Sequence, residues 1–263
     1  MKLNKIVNEV KELVISVGAF IRHESTHFDE SAIVYKELNN LVSYVDKTAE
    51  ERLVAGLKTI CPEADFIAEE GTAKREGKEY TWVIDPLDGT TNFSHGLPVY
   101  SVSVALYQNN RPIVGVVYEV NKDELFSAVK GGGAFLNDKP IHVSKIPTLE
   151  KSLVATGFPY YMFDKLDDYF EILKSLMQKT HGLRRLGSAA VDLCYVACGR
   201  FESYFEFNLN AYDVAAGALI VLEAGGSVSN FLGEDKDWPE GKEIVASGPV
   251  HDEIITEISK HWK

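Results

Sequence analysis

Three cysteines in 263 residues cannot supply a disulfide framework. Cys194 and Cys198 stand four apart in an apolar stretch and read as reduced core residues, and Cys61 stands alone. A structural zinc would want more Cys or His beside them than the chain provides. Basic side chains are also scarce. Against 39 Asp and Glu there are 27 Lys and Arg, which leaves a net charge of −12 at pH 7. That balance argues against a surface built for nucleic acid or for an anionic membrane, because phosphates attract the opposite sign. It leaves phosphate esters open as substrates, since a bound divalent cation reverses the local field. No apolar run approaches the roughly 18 residues of a membrane span. The first residues do not form a secretory signal either. Leu3, Ile6, Val7, Val10, Leu13, Val14, Val17, Phe20 and Ile21 recur at helical spacing with Lys and Glu between them, which predicts an amphipathic helix. A soluble, cytoplasmic protein is the expectation.

What is present is a long chain of ordinary globular composition, 45% hydrophobic and 25% charged. A chain of this length buries roughly 70–75% of its unfolded surface and needs no metal or disulfide staple to fold. A second helix is predicted from about Asp46, carrying Leu53, Val54, Leu57 and Ile60, and stopping at Pro62. Strand patterns follow at 66–69, 80–84, 102–106, 113–120 and 125–129. Gly131, Gly132 and Gly133 then read as a tight strand connection, lacking the Lys-Ser/Thr of a P-loop and the spacing of a dinucleotide loop. From Ser152 onward strands alternate with helices: strands at 153–156, 203–207, 228–231 and 244–247, helices near 164–177, 188–198, 214–224 and from His251. Strands in succession followed by αβ alternation predict an α+β part over residues 1–145 and an α/β part over 146–263.

The sharpest segment is Trp82-Val83-Ile84-Asp85-Pro86-Leu87-Asp88-Gly89-Thr90-Thr91-Asn92-Phe93. An apolar strand delivers Asp85, Pro86 is expected to break that strand, and Asp88 follows three residues later. Single Asp-Pro or Asp-Gly pairs are ordinary turn formers. In tandem after an apolar strand they place two carboxylates and exposed carbonyls on one turn, which suits a hard cation such as Mg²⁺. Gly89, Thr90 and Thr91 add N–H groups and hydroxyls for phosphate oxygens. Glu69 and Glu70 form a carboxylate pair at a strand end, and Asp213 stands where a helix begins, in Tyr212-Asp213-Val214-Ala215-Ala216-Gly217. Taken singly, these read as a solvated strand end and a helix-start acid. The small residues after Asp213 would let that helix pack closely.

Together these segments resemble the inositol monophosphatase family of Mg²⁺-dependent, lithium-sensitive sugar phosphatases, over nearly the whole chain. The family's Glu-Glu pair is Glu69-Glu70 here, its Asp-Pro-Leu/Ile-Asp-Gly-Thr follows Trp82, and its Trp-Asp-x-Ala-Ala-Gly runs from Tyr212 to Gly217. Two departures touch packing and remove no ligand: Ala68 stands where a Gly often precedes the pair, and Tyr212 replaces the usual Trp. The resemblance implies a layered αβαβα sugar-phosphatase fold and a homodimer.

The resemblance also implies roles. Glu69, Asp85, Asp88, Asp213 and the Leu87 carbonyl would hold two or three Mg²⁺, with Asp85 bridging. Glu69, Asp46 and Thr90 would be catalytic, with Thr90 and Asp46 relaying a proton from the attacking, metal-activated water. Asp46, in Tyr44-Val45-Asp46-Lys47, resembles the acid of the family's Thr-x-x-Asp-x-x-x-Glu helix start, with Ser43 in place of the Thr; taken alone it reads first as a helix-start carboxylate. Substrate contacts would come from Asp88, Gly89, Thr90, Thr91, Gly187, Ser188, Ala189, Glu206 and Asp213. Ser188 also reads as a helix N-cap. Glu206 in an isolated strand would alternate outward to solvent, but it matches the glutamate that accepts inositol hydroxyls in the family. Arg184 and Arg185 read first as surface or interface salt-bridge residues. The expected reaction is Mg²⁺-dependent hydrolysis of inositol 1-phosphate or a similar polyol monophosphate. The alternatives are a sister activity on fructose 1,6-bisphosphate, 3′-phosphoadenosine 5′-phosphate, NADP or histidinol phosphate, or a regulatory, partner-binding protein that retains the scaffold. A small-molecule phosphate ester is the expected partner, with no direct nucleic-acid or membrane contact.

Overall fold

A computed structural model describes residues 2–27, 34–37, 40–73, 75–160, 163–235, 240 and 242–262. Helix α1 (Leu3–Ser25) buries Ile6, Val7, Val10, Val14, Val17 and Ile21 as one stripe, as the periodicity requires. Strands β1 (Val34–Glu37) and β2 (Asn40–Val42) pair as a separate antiparallel ribbon. Helix α2 (Tyr44–Ile60) starts at Ser43, whose hydroxyl accepts Val45 N–H at 3.1 Å. Asp46, at the third helical position, accepts the Ser43 N–H at 2.8 Å in return, closing a capping box. Then come β3 (Asp65–Ala68), β4 (Tyr80–Asp88), the short α3 (Thr90–Ser94), β5 (Ser101–Gln108), β6 (Arg111–Glu119), β7 (Glu124–Val129), β8 (Ala134–Leu136) and β9 (Lys139–Ile141). The second half contains β10 (Leu153–Thr156), α4 (Leu166–Lys179), β11 (Gly182–Arg184), α5 (Ala189–Ala197), β12 (Ser203–Phe207), α6 (Ala211–Glu223), β13 (Ser227–Ser229), β14 (Glu243–Ser247) and α7 (His251–Ile258). Among the described residues, no helix is long and apolar enough to cross a membrane.

These elements stack as αβαβα. Strands β3 to β9 form a seven-stranded sheet in sequence order, antiparallel except for the parallel pair β3/β4. The five-stranded sheet has the order β11-β10-β12-β14-β13 and is parallel across β11, β10 and β12. Alternation along β5 sends Val102, Val104 and Leu106 to α1 and α2, and Ala105 and Tyr107 to the opposite face. On that face α5 and α6 are sandwiched between the two sheets, touching Val117 and Phe126 of one and Tyr204, Ile244 and Ala246 of the other. The close packing expected after Asp213 is realised at Gly217, where a Cβ would come within 2.6 Å of Leu193. The outer layer, α4 and α7, covers Phe205, Phe207 and Val245.

The structure changes one local expectation. Pro86 does not break β4. The strand runs on to Asp88, and its pairing with β5 skips from Asp85 opposite Ser103 to Asp88 opposite Ser101. On the other side β3 has already ended, its last pair being Ala68 with Ile84. Pro86 and Leu87 therefore form a bulge in which proline has no ladder bond to donate. The short elements α3, β8, β9 and β11 carry too few residues for a periodic signal.

The outer layer is tied by Glu257 of α7, 4% exposed. Burial would raise its carboxyl pKa, but hydrogen bonds from Lys179 (2.6 Å), Lys260 (2.6 Å) and Ser175 outweigh that and hold it down at about 2. A depressed carboxylate contributes stability that is complete above its ordinary value of 4.5 and fades as pH falls towards 2. Glu257→Gln is expected to lower stability by about 1 kcal/mol at pH 7. The gap to wild type should narrow between pH 5 and pH 3.5 in urea unfolding, and a pH-independent gap would disprove the assignment.

Candidate functional site

The parallel strands of both sheets end at one cleft of about 260 Å³. Glu69 follows β3, Asp85 and Asp88 end β4, Phe158 follows β10, Arg185 follows β11, and Glu206 ends β12. Carboxyl ends of parallel strands are where layered α/β folds place their sites, because the chain leaves the sheet there and frees its side chains. Glu69, Asp85, Leu87, Asp88, Gly89, Thr90, Thr91, Gly187, Glu206 and Asp213 all line this cleft. Asp46, Ser188 and Ala189 do not line it. Asp46 and Ser188 reach it through hydrogen bonds.

Asp85, Asp88 and Asp213 are each oriented by a main-chain donor. Leu87 N–H donates to Asp85 Oδ1 at 3.0 Å, across the β4 bulge. The first turn of α5 holds Asp88, whose Oδ2 accepts from Ser188 Oγ at 2.6 Å and from Ala190 N at 2.7 Å. Ser188 is also the α5 N-cap, so its structural and site roles coincide. Asp213 is not the first residue of its helix as expected. Asn210 caps α6, and Asp213 at the third position accepts Asn210 N–H at 2.6 Å. Thr90 hydroxyl lies 2.8 Å from Asp46 Oδ1 and 3.0 Å from the Leu87 carbonyl, with both able to accept its proton. Gly89 has φ +100, and a Cβ there would meet the Val99 carbonyl at 3.0 Å, so the turn between Asp88 and Thr90 requires glycine.

Burial and mutual repulsion set the titration of this cleft. Burial, then the charges of Glu69, Asp88 and Asp213, push the Asp85 carboxyl well above the usual range. Asp213 is pushed up by burial and then by Glu69, against the Asn210 N–H. Burial lifts Asp88 to about 6, even though Ser188, the α5 N–H groups and Arg185 favour its anion. Asp46 is also raised, by burial that outweighs its bonds from Ser43 and Thr90. Oxygen donors that crowd and repel in this way suit a hard divalent cation, which would offset the charge that burial penalises. The donor set of four carboxylates and the Leu87 carbonyl fits such an ion chemically. Among the described residues, however, no three His, Cys, Asp or Glu side chains close into a finished cage.

Glu206 lies in the cleft, as its family match implied, and departs only from the outward alternation of an isolated strand. It does not face solvent, because both faces of its sheet are covered by helices. Its strand position instead directs it to the cleft, where Tyr204 hydroxyl donates to it at 2.5 Å. Burial raises its carboxyl to about 7 against Tyr204 and Arg185. Gly157 makes room for it, since a Cβ there would lie 2.0 Å from the carboxylate. Arg185, read as a surface residue, lines the cleft with its guanidinium 5.7 and 5.6 Å from the Phe158 and Tyr160 rings. Asn92 stands in the sharpest sequence segment but carries no predicted role. Its amide donates to Val99 O and Leu186 O, both at 2.8 Å, tying α3 to the segment before Gly187. Nothing in its local pattern distinguishes it from a turn asparagine.

Residues 2–263 match the inositol monophosphatase family. The chain belongs to that family. The putative Nus factor SuhB of Neisseria meningitidis serogroup B is 41% identical over 261 residues, covering 98% of this chain and all of the relative. The inositol-1-monophosphatase of Synechocystis is 43% identical over 216 residues, 82% of this chain and 75% of that protein. Among solved structures, the inositol monophosphatase of Anabaena superposes with a TM-score of 0.89 at 34% identity, covering 99% of this chain and 98% of that one. Inositol monophosphatases are phosphatases and generally metal-dependent, which agrees with the all-oxygen donor set of this cleft.

Within this inositol monophosphatase scaffold, Ser188 links α5 to Asp88. Ser188→Ala removes a cap and a charge-assisted hydrogen bond at a position 1% exposed, and should cost about 1–3 kcal/mol. Chemical denaturation measures it, and a change below about 0.3 kcal/mol would mean the bond contributes nothing.

Proposed function

We propose that this chain hydrolyses inositol 1-phosphate, or a similar polyol monophosphate, to the free polyol and inorganic phosphate in an Mg²⁺-dependent reaction. The observation that carries the reading is the meeting of Glu69, Asp85, Asp88 and Asp213, from the ends of β3 and β4 and the start of α6, in one cleft beside the Thr90–Asp46 hydrogen bond. Glu69, Asp85, Asp88, Asp213 and the Leu87 carbonyl would hold two or three Mg²⁺. When bound, these ions neutralise phosphoryl charge and activate water.

The chain's own groups supply the rest. Thr90 Oγ can accept a proton from the attacking water while passing its own to Asp46, whose burial makes it a stronger base than an exposed aspartate. Gly89, Thr90, Thr91 and Gly187 would meet the phosphate and the ring, with Ser188 acting from behind through Asp88. Glu206 would accept ring hydroxyls. SaIMPase-II, solved with inositol monophosphate bound, shares this fold at a TM-score of 0.80 and 26% identity over 97% of this chain, which supports the substrate class. We also propose a homodimer. The relatives named Nus factor SuhB favour a second, regulatory role on the same scaffold, one that need not depend on the cleft acids.

Phosphate release from inositol 1-phosphate, fructose 1,6-bisphosphate, 3′-phosphoadenosine 5′-phosphate, NADP and histidinol phosphate, with Mg²⁺ and with EDTA, tests the reading. Mg²⁺-dependent turnover led by inositol 1-phosphate is expected. A different preferred member would select a sister activity, and no turnover from folded protein would leave the regulatory role. Asp46→Asn and Thr90→Ala should each lower kcat by about 10²-fold or more with the fold intact, and near-normal turnover in either would sink the relay. Glu206→Gln, and Gly157→Ala, which displaces the Glu206 carboxylate, should raise KM for inositol 1-phosphate more than for a small aryl phosphate. Equal effects on both substrates would refute polyol recognition by Glu206.

A further inference from the structure

Glu50 is a buried acid to which none of these roles applies. It lies on α2 one turn beyond Asp46, is 0% exposed and does not line the cleft. Its two oxygens each take a different main-chain donor: Glu70 N–H reaches Oε2 at 2.6 Å and Thr72 N–H reaches Oε1 at 2.8 Å. A carboxylate removed from water is costly unless its oxygens are met, and an apolar residue would serve the packing of α2 more simply. Both compensating bonds lead to one place, the chain immediately after Glu69.

That stretch needs a support the sheet does not provide. Strand β3 pairs with β4 only as far as Ala68 opposite Ile84, so Glu69 stands just past the last ladder pair. Glu50 grips the chain one and three residues further on. One turn earlier on the same helix, Asp46 grips Thr90, two residues past Asp88. Side chains four apart on a helix are neighbours at a fixed spacing of about 6 Å. A single rigid element thus holds both acidic segments, one through each carboxylate.

We propose that Glu50 is a positioning residue for Glu69, setting divalent-cation affinity on that side of the cleft without touching cation or substrate. The inference rests on the metal-dependent reading above. Asp65 offers an internal comparison. Its carboxylate accepts Glu76 N–H at 2.6 Å and Gly77 N–H at 2.7 Å, anchoring the far end of the same segment away from the acids.

The test uses the full chain, with Mn²⁺ binding followed by electron paramagnetic resonance without substrate, and phosphate release titrated with Mg²⁺. Glu50→Gln keeps the shape of the side chain but turns an amide N–H towards one main-chain donor. It should weaken Mn²⁺ binding about 10–100-fold and raise the half-saturating Mg²⁺ equally, while kcat at saturating Mg²⁺ recovers to within a few-fold. Asp65→Asn should lower the melting temperature yet leave Mn²⁺ affinity within about twofold, as a purely structural anchor would. If Glu50→Gln does not fold, Thr72→Pro deletes one of the two donors from an exposed position and carries the same expectation. A folded Glu50 variant with wild-type Mn²⁺ affinity and Mg²⁺ requirement overturns the positioning role, whatever happens to its melting temperature. Wild-type protein that neither binds Mn²⁺ nor releases phosphate with Mg²⁺ overturns the metal-dependent reading itself, and the inference with it.

Discussion

Repulsion among buried carboxylates is the constraint around which this molecule is organised. Asp85, Asp88 and Asp213 would move apart or take up protons if their backbones allowed it, since burial disfavours their anions and the charge of Glu69 adds to the penalty at Asp85 and Asp213. The backbones do not allow it. Asp85 and Asp88 sit in a bulged central strand buried along most of its length, Glu69 follows the strand beside it, and Asp213 belongs to a helix packed between two sheets. The strain is carried by layers whose apolar contacts lie elsewhere. Such concentration of unfavourable charge in an otherwise well-packed fold marks a place kept for chemistry.

Helix starts partly offset the repulsion. The first turns of α2, α5 and α6 all face this region, each presenting N–H groups and the positive end of its dipole. Asp88 is held by α5, while Asp46 and Asp213 each close a capping box on their own helix. For these residues, capping a helix and serving a site are the same placement. A carboxylate at the third helical position is oriented by the turn that it completes, and its remaining capacity can point outward to a neighbour, as Asp46 does to Thr90.

Much of this was legible locally. The amphipathic stripe of α1, the alternation of β5 and the tandem Asp-Pro and Asp-Gly turn each carry a signal within about ten residues, while the αβαβα layering came from the family resemblance. What escaped depends on partners far away in sequence. Glu206 was legible only through the family resemblance, because it faces the cleft where helices cover both sides of its sheet, which no pattern within Tyr204–Phe207 reveals. Pro86 continues a strand because β3 ends two residues earlier on the neighbouring ladder. Arg185 and Asn92 look like surface and turn residues until the ends of β11 and α3 are brought together. Glu50 stands four residues after Asp46, at the Glu of the family's helix-start motif, but nothing local shows which chain segment it grips.

The two sheets also divide the cleft's labour. The acids come from the ends of β3 and β4 and from the start of α6, where the backbone is locked by pairing, bulge and cap. Phe158, Arg185, Glu206 and Asn208 come from the ends of β10, β11 and β12, where each strand passes into a connecting loop. Loops tolerate substitution far better than buried strand pairs do. Changes along the second rim can therefore alter what is recognised while leaving the acidic cluster in place. On the proposed reading, the reacting group would be held by the rigid half of the cleft, and the rest of the substrate would meet the half that is free to vary.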